Sequence, residues 1–383
     1  MNNLTVQDVF QKFYPEYIDK YTPSFHQQKT AINIINCKTG AYGTNVSVCD
    51  DCGSTHLHYN SCRNRCCPMC QALPKEKWMD LRREDVLDAP YFHVVFTVPE
   101  ELNPVIYSNQ KLLYDALYHC VSGTLDELAS DSKHLGAKIG YMCILHTWGS
   151  EMNYHPHIHV IVLGGGLDSK NGWRDNGSKF FLPVRVLSKK FRGKYMEELK
   201  ALWENKKLEF HGSASRYRNH YAFKELINSC YEKEWIPYSI ETFNGAGSVI
   251  QYLGKYTHRI AISNYRLIQV SDTTVTFSVK DYKNQGQWKE LTLTGIEFIR
   301  RFLMHVPPKR FVRIRHYGIL ASRTKQKKLT LCRNLLGCKK YISEIKDMSV
   351  PEMLKHLWKI DICVCKTCGG HMSANNQHTF IRD

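Results

Sequence analysis

YHPHIHVIVLGGG, Tyr154–Gly166, is the stretch on which the reading of this chain turns. Its β-branched residues favour a strand, and in a strand alternate side chains share a face. His157 and His159 therefore project together, while Ile158 faces the other way. Two imidazoles at that spacing can grip one divalent ion through two of its positions. GYMCILHTWG (140–149) precedes the stretch across a short polar turn, a spacing that suits a β-hairpin. Taken alone, a His-x-His pair in a strand is more often incidental than functional. Other elements must give it weight.

Working outward, YFHVVFTVP (91–99) reads as a strand closed by Pro99, and residues 104–131 as one helix. Gly164–Gly166 is expected to open a polar insertion, followed by a mostly helical, Lys-rich stretch. Strand character returns at WIPYSIETF (235–243). GAGSVIQYLGKYTHRIA (245–261) reads as a helix with Ser248 as its N-cap. TTVTFSVKDY and QWKELTLTG suit a second hairpin around KNQG, followed by the helix IEFIRRFLMHV. This pattern predicts an α+β protein with a central antiparallel sheet and flanking helices. A parallel, doubly wound sheet is disfavoured, because no Gly-rich nucleotide-binding turn follows the first strand. Three regions are expected: a zinc-binding domain over 1–88, a catalytic domain over 89–320 with a helical insertion at 167–234, and a basic C-terminal region over 321–383.

The 383 residues carry 52 Lys+Arg against 36 Asp+Glu, a formal charge of +16. Hydrophobic content of 43% and charged content of 23% exclude wholesale disorder. No apolar run approaches the roughly 18 residues of a membrane span. The N-terminus is unlike a secretion signal, so a soluble cytoplasmic protein without a membrane partner is expected. The basic surplus points to a polyanion, most simply nucleic acid.

Fifteen cysteines are many for a reducing compartment, and they cluster. Two Cys-x-x-Cys pairs, Cys49/Cys52 and Cys67/Cys70, stand 15 residues apart from the second Cys to the third. That spacing allows two knuckles to close one tetrahedral zinc shell. Cys37, Cys62 and Cys66, with His58 and His26 nearby, are candidates for a second zinc. Cys365 and Cys368 are candidates for a C-terminal zinc, with Cys363, Cys332, Cys338 and His371 within reach in sequence. Cys120, Cys143 and Cys230 stand alone and read as core residues.

A further element is Tyr252-Leu-Gly-Lys-Tyr256. Four residues apart on a helix, both phenols share a face. Two amphipathic aromatics packing on a sheet would look the same. Paired histidines, paired tyrosines and clustered cysteines in one basic chain are a far rarer combination.

NSCRNRCCPMCQ, PYFHVVFTVP, LHTWG, HPHIH, YLGKYTHRIAIS and RIRHYGILASR, in this order from about residue 25 to 325, resemble the two-tyrosine HUH transposases of rolling-circle insertion sequences, the family numbered ninety-one. His157-Ile158-His159 matches the His–hydrophobic–His motif that gives HUH its name. Cys66 departs from the family's RNRHCP pattern, where His is usual. The resemblance implies a bacterial transposase acting at the nucleoid. It would nick and rejoin single-stranded DNA, and its partners would be single-stranded DNA and transposon-end hairpins. Tyr252 and Tyr256 would be the nucleophiles, and His157 and His159 would hold Mg²⁺ or Mn²⁺. For a third ligand the sequence offers His155, on the same strand face beside Pro156, and His146, on the neighbouring strand, and does not choose between them. Attack by tyrosine would give a 5′-phosphotyrosine link.

Candidate phosphate contacts are Lys189, Lys190, Arg192, Lys194, Arg216, Arg218, Lys325, Lys327 and Lys328. Trp148, Trp173 and Tyr217 are candidates for stacking on unpaired bases, with core packing the simpler role for each. Two other readings remain: a replication initiator or relaxase with the same chemistry, and a non-catalytic zinc-finger DNA-binding regulator. The regulator would have no need of His157, His159, Tyr252 and Tyr256 at one location.

Overall fold

The computed structural model of the chain describes residues 4–177, 182–235, 238–241, 248–249, 254, 261–281 and 286–375. Contacts divide the chain into two units: Arg82–Thr257 with Pro307–Tyr341, and Met1–Leu81 with His258–Val306 and Ile342–Asp383. The fold is α+β with antiparallel sheets, as the sequence pattern predicts.

The first of these units is built on a six-stranded sheet. Its strands run in the order Ile314–Gly318, Lys138–Trp148, Tyr154–Leu167, Tyr91–Thr97 and Tyr238–Glu241, with Trp173–Asp175 pairing onto the end of the histidine strand. Every pairing is antiparallel. Alternation divides the faces. Ile158, Val160 and Val162 of the histidine strand join Tyr141, Cys143 and Leu145 on one side and Val94 and Phe96 on the other in a single apolar core. Leu117 and Tyr118 of helix Gln110–Ser130, and Phe191 and Tyr195 of helix Val184–Glu204, complete that core. Burying each such side chain contributes about 1.5–3 kcal/mol. That burial fixes the strand register, so the opposite face is specified as well.

Two local expectations are corrected. The polar insertion does not open at Gly164–Gly166: these residues stay within the histidine strand, which ends at Leu167. A Cβ on Gly165 would lie 2.3 Å from the Trp173 ring, and one on Gly166 would lie 2.5 Å from the Lys138 carbonyl oxygen. These glycines allow neighbouring chain to pass closely rather than turning the chain. The helix expected over 104–131 is two helices, Asn103–Ser108 and Gln110–Ser130. Asn109 separates them, because its side chain bonds the carbonyl of Val105 and both backbone groups of Glu209.

In the other unit, helix Val6–Lys20 starts at a Thr5–Asp8 capping box, and helix Phe25–Ile35 starts at a Ser24–Gln27 box. The expected hairpin pairs Thr274–Asp281 with Gln287–Thr294, and helix Gly295–Met304 follows. That helix packs on the first through Phe302 against Phe10, their rings 5.1 Å apart edge to face. A separate three-stranded sheet runs Met372–Asn375, Thr44–Cys49, Thr55–Tyr59.

Candidate functional site

Opposite its apolar core, the six-stranded sheet carries a group of histidines. Antiparallel register sets His146 against His157, and Val95 and Ile144 on either side of His159. His146, His157 and His159 each offer a ring nitrogen, all within 4.8 Å of one another. All three are buried. Of the two candidates for a third ligand, the structure gathers His146 with the pair. His155 lends its backbone carbonyl instead, which accepts from His157 Nδ1 at 2.6 Å.

The hydrogen bonds define what this cluster can do. His157 carries its proton on Nδ1, as the bond to a carbonyl requires. Burial pushes its imidazole down to about 3 and that of His159 well below the ordinary value, so both rings are neutral near pH 7. The Nε2 atom of His157 therefore presents a lone pair, and it lies 3.0 Å from Nε2 of His159. The Nδ1 atom of His159 lies 2.9 Å from Nε2 of His93, another buried imidazole that burial holds at about 4. In the tautomer where His159 donates Nδ1–H to His93, both Nε2 lone pairs face the same space, the arrangement that suits a cation; in the other tautomer His159 donates Nε2–H to His157 and the chain of imidazoles is satisfied by itself. Two adjacent ligands of an octahedral ion with bonds of about 2.1 Å would stand about 3 Å apart, so the donor set fits such an ion.

His93 was not singled out from the sequence. Its signal was there, since His93 and Val95 share a face of the strand Tyr91–Thr97. What the sequence does not show is that this strand pairs with Tyr154–Leu167.

Tyr252 and Tyr256 lie outside the described residues, as does most of the 245–261 stretch expected to be helical. Trp148 stacks on His146, ring centroids 4.7 Å apart. Tyr217 is buried in the core and Trp173 donates to Asp175. Several candidate phosphate contacts are engaged within the chain. Lys190 and Lys194 pair with Glu127, Lys325 pairs with Asp85, and Arg218 donates to the Phe210 carbonyl.

The cysteines form two four-sulfur groups, divided differently from the expectation. Cys67 and Cys70 do not meet Cys49 and Cys52; they gather with Cys37 and Cys62. In that group Cys37 Sγ lies 3.4 Å and Cys62 Sγ 3.6 Å from Cys70 Sγ. Cys49 and Cys52 gather with Cys365 and Cys368. Cys66 is buried beside the first group but belongs to neither; its backbone N–H donates to the Asn64 side chain. The reason is topological. Thr44–Cys49 pairs with a strand from the far end of the sequence, which carries the partner sulfurs to it.

Residues 140–328 match the family described as "Putative transposase", and residues 9–98 match the "Transposase zinc-binding domain". "Putative transposase y4qJ" of Sinorhizobium fredii (strain NBRC 101917 / NGR234) is 41% identical over 335 residues, covering 87% of this chain and 84% of that protein. "Transposase for insertion sequence element IS801" of Pseudomonas savastanoi pv. phaseolicola is 27% identical over 363 residues, 90% of this chain and 82% of that protein. A conjugative relaxase, TrwC, solved metal-free with oriT DNA, matches 29% of this chain and 44% of its own at 17% identity and a TM-score of 0.24, too low to define a shared fold. The class defined by the family and sequence matches is a transposase, an enzyme that acts on DNA. The chain belongs to the IS91 family of transposases, with the zinc-binding domain of that family at its N-terminal end. That domain and the clustered cysteines support structural zinc. Among the described residues, no helix is long and apolar enough to cross a membrane.

Proposed function

We propose that this transposase nicks and rejoins single-stranded DNA through a 5′-phosphotyrosine intermediate and so drives rolling-circle-type transposition. The observation that carries the reading is the pair of buried, neutral Nε2 atoms of His157 and His159, 3.0 Å apart beside His146. These three side chains would hold Mg²⁺ or Mn²⁺, which when bound would neutralise charge on the scissile phosphate and orient it. His93 and the His155 carbonyl would fix the ring orientations.

Tyr252 and Tyr256 are the proposed nucleophiles. The tyrosine oxygen forms a bond to phosphorus as the bond to the 3′ oxygen breaks, and the tyrosine proton ends on the released 3′-OH. One phosphoester replaces another, so rejoining is the same step reversed and requires no ATP. A second tyrosine lets one chain handle two DNA ends. Single-stranded DNA and transposon-end hairpins are the proposed partners. Cys37, Cys62, Cys67 and Cys70 would hold a structural Zn²⁺ that shapes the N-terminal DNA-recognition module.

The test incubates the protein with labelled single-stranded oligonucleotides carrying the element's ends and Mg²⁺ or Mn²⁺, then seeks a covalent adduct on a denaturing gel. The adduct is expected to vanish in His157→Ala and in the double variant Tyr252→Phe/Tyr256→Phe. An adduct that persists in the double variant overturns the assignment of nucleophiles. No adduct with the unaltered protein favours the non-catalytic DNA-binding reading.

A further inference from the structure

Two short sequences in this chain have the same form: Cys49-Asp-Asp-Cys52-Gly53 and Cys365-Lys-Thr-Cys368-Gly369. They are folded alike. In each, the glycine N–H donates to the carbonyl of the first cysteine, Gly53 to Cys49 at 3.0 Å and Gly369 to Cys365 at 2.9 Å. Both glycines have positive φ, +70° and +80°, which a side chain would make costly. In the second turn backbone N–H groups also point at sulfur, from Thr367 to Cys365 Sγ and from Gly370 to Cys368 Sγ, each at 3.4 Å. Donors of this kind favour thiolate over thiol.

The two turns face each other within one unit of the chain. Cys49 Sγ lies 3.4 Å from Cys368 Sγ, and Cys52 Sγ lies 3.8 Å from Cys365 Sγ. Four sulfurs around a tetrahedral zinc at about 2.3 Å would stand about 3.8 Å apart, so the group is already near that shape. The backbone holds it there. Thr44–Cys49 pairs with Met372–Asn375 in register Cys49 to Met372, and Asp50 N–H donates to the His371 carbonyl at 2.9 Å. The Asp50 carboxylate accepts from both His371 Nδ1 and Ser373 Oγ at 2.8 Å. Gly370 passes so close to Asp51 that a Cβ would lie 2.0 Å from its carboxylate.

We propose that Cys49, Cys52, Cys365 and Cys368 bind one structural Zn²⁺ and form a clasp that joins the C-terminal segment to the N-terminal zinc-binding module. The matched zinc-binding domain, residues 9–98, holds only half of this centre. Its first Cys-x-x-Cys is completed from more than 300 residues away, the Cys52–Cys365 separation being 313 positions. The clasp does not depend on the nicking chemistry, and its test does not read DNA cleavage.

The test is zinc content of the full-length protein after exhaustive dialysis, measured by plasma mass spectrometry. Cys365→Ser/Cys368→Ser should lose one zinc per chain relative to the unaltered protein, and so should Cys49→Ser/Cys52→Ser. Combining all four should still lose only one, whereas Cys49→Ser/Cys52→Ser with Cys67→Ser/Cys70→Ser should lose two. Full zinc in Cys365→Ser/Cys368→Ser, or loss of two in the clasp quadruple variant, overturns the proposal. A second measurement uses the unaltered protein and so does not rest on any variant folding. Cys52 and Cys368 are exposed, and unligated thiols there would alkylate readily. In zinc-replete protein both should resist N-ethylmaleimide, and a chelator should unmask them together. Rapid labelling of both before chelation overturns the proposal.

Discussion

Replacing His93 by phenylalanine tests how the histidine cluster is held. Phe keeps an aromatic ring of similar size in a site that is only 5% exposed, so packing is largely retained. What disappears is the 2.9 Å hydrogen bond to His159 Nδ1. An imidazole that turns its Nε2 toward a cation carries its proton on Nδ1, and in the variant that buried N–H has no acceptor at His93. Losing a buried hydrogen-bond acceptor costs about 1–3 kcal/mol when nothing replaces it. At about 1.4 kcal/mol per decade this is roughly a 10–100-fold loss of Mn²⁺ affinity, the range typical of partners behind a metal ligand. His93→Gln, which restores an acceptor, should recover part of the loss. The assay is Mn²⁺ titration followed by electron paramagnetic resonance, with a thermal melt to show that each variant is folded. A folded His93→Phe protein binding Mn²⁺ within about twofold of the unaltered protein would refute the reasoning.

Three other predictions concern the sheet. Ile158→Ala, on the core face between the two histidines and fully buried, should cost about 2–5 kcal/mol in urea unfolding while leaving Mn²⁺ affinity near its original value. Gly166→Ala sets a methyl group against the Lys138 backbone, which cannot swing aside as a side chain can; a loss of about 1–3 kcal/mol by the same assay is expected. His316 gives a pH prediction. Burial first, and then the charge of Arg82, hold its imidazole at about 4 against 6.5 unperturbed. As pH falls below 6.5 the unfolded chain takes up this proton before the folded one, so stability present above 6.5 is lost toward pH 4, by at most about 3 kcal/mol. His316→Phe should make the acid limb of a melting-temperature profile shallower.

The parts of the site that follow from short-range periodicity were legible in the sequence. His157 and His159 share a face because strands alternate, and each of the three Cys-x-x-Cys sequences is a local structure. Strand order is not local. His146 reaches the pair because its strand is the hairpin partner, and His93 reaches His159 because its strand lies on the other side. The cysteines make the same point. A 15-residue spacing between Cys52 and Cys67 invited a single local centre, but β-pairing between Thr44–Cys49 and Met372–Asn375 brings sulfurs from the opposite end of the sequence. Gly164–Gly166 reads as the opening of a polar insertion, and only the neighbouring Trp173 and Lys138 explain why glycine is needed inside a strand.

The central claim is that neutral histidines on one sheet face and a tyrosine nucleophile act on the same phosphate. Its most direct measurement is mass spectrometry of the peptide left attached to DNA after the Mn²⁺-dependent reaction and proteolysis. The account predicts a nucleotide-bearing peptide with the modification on Tyr252 or Tyr256, formed by the unaltered protein and absent from His157→Ala. Attachment through any other residue, or equal yield from His157→Ala, would contradict it.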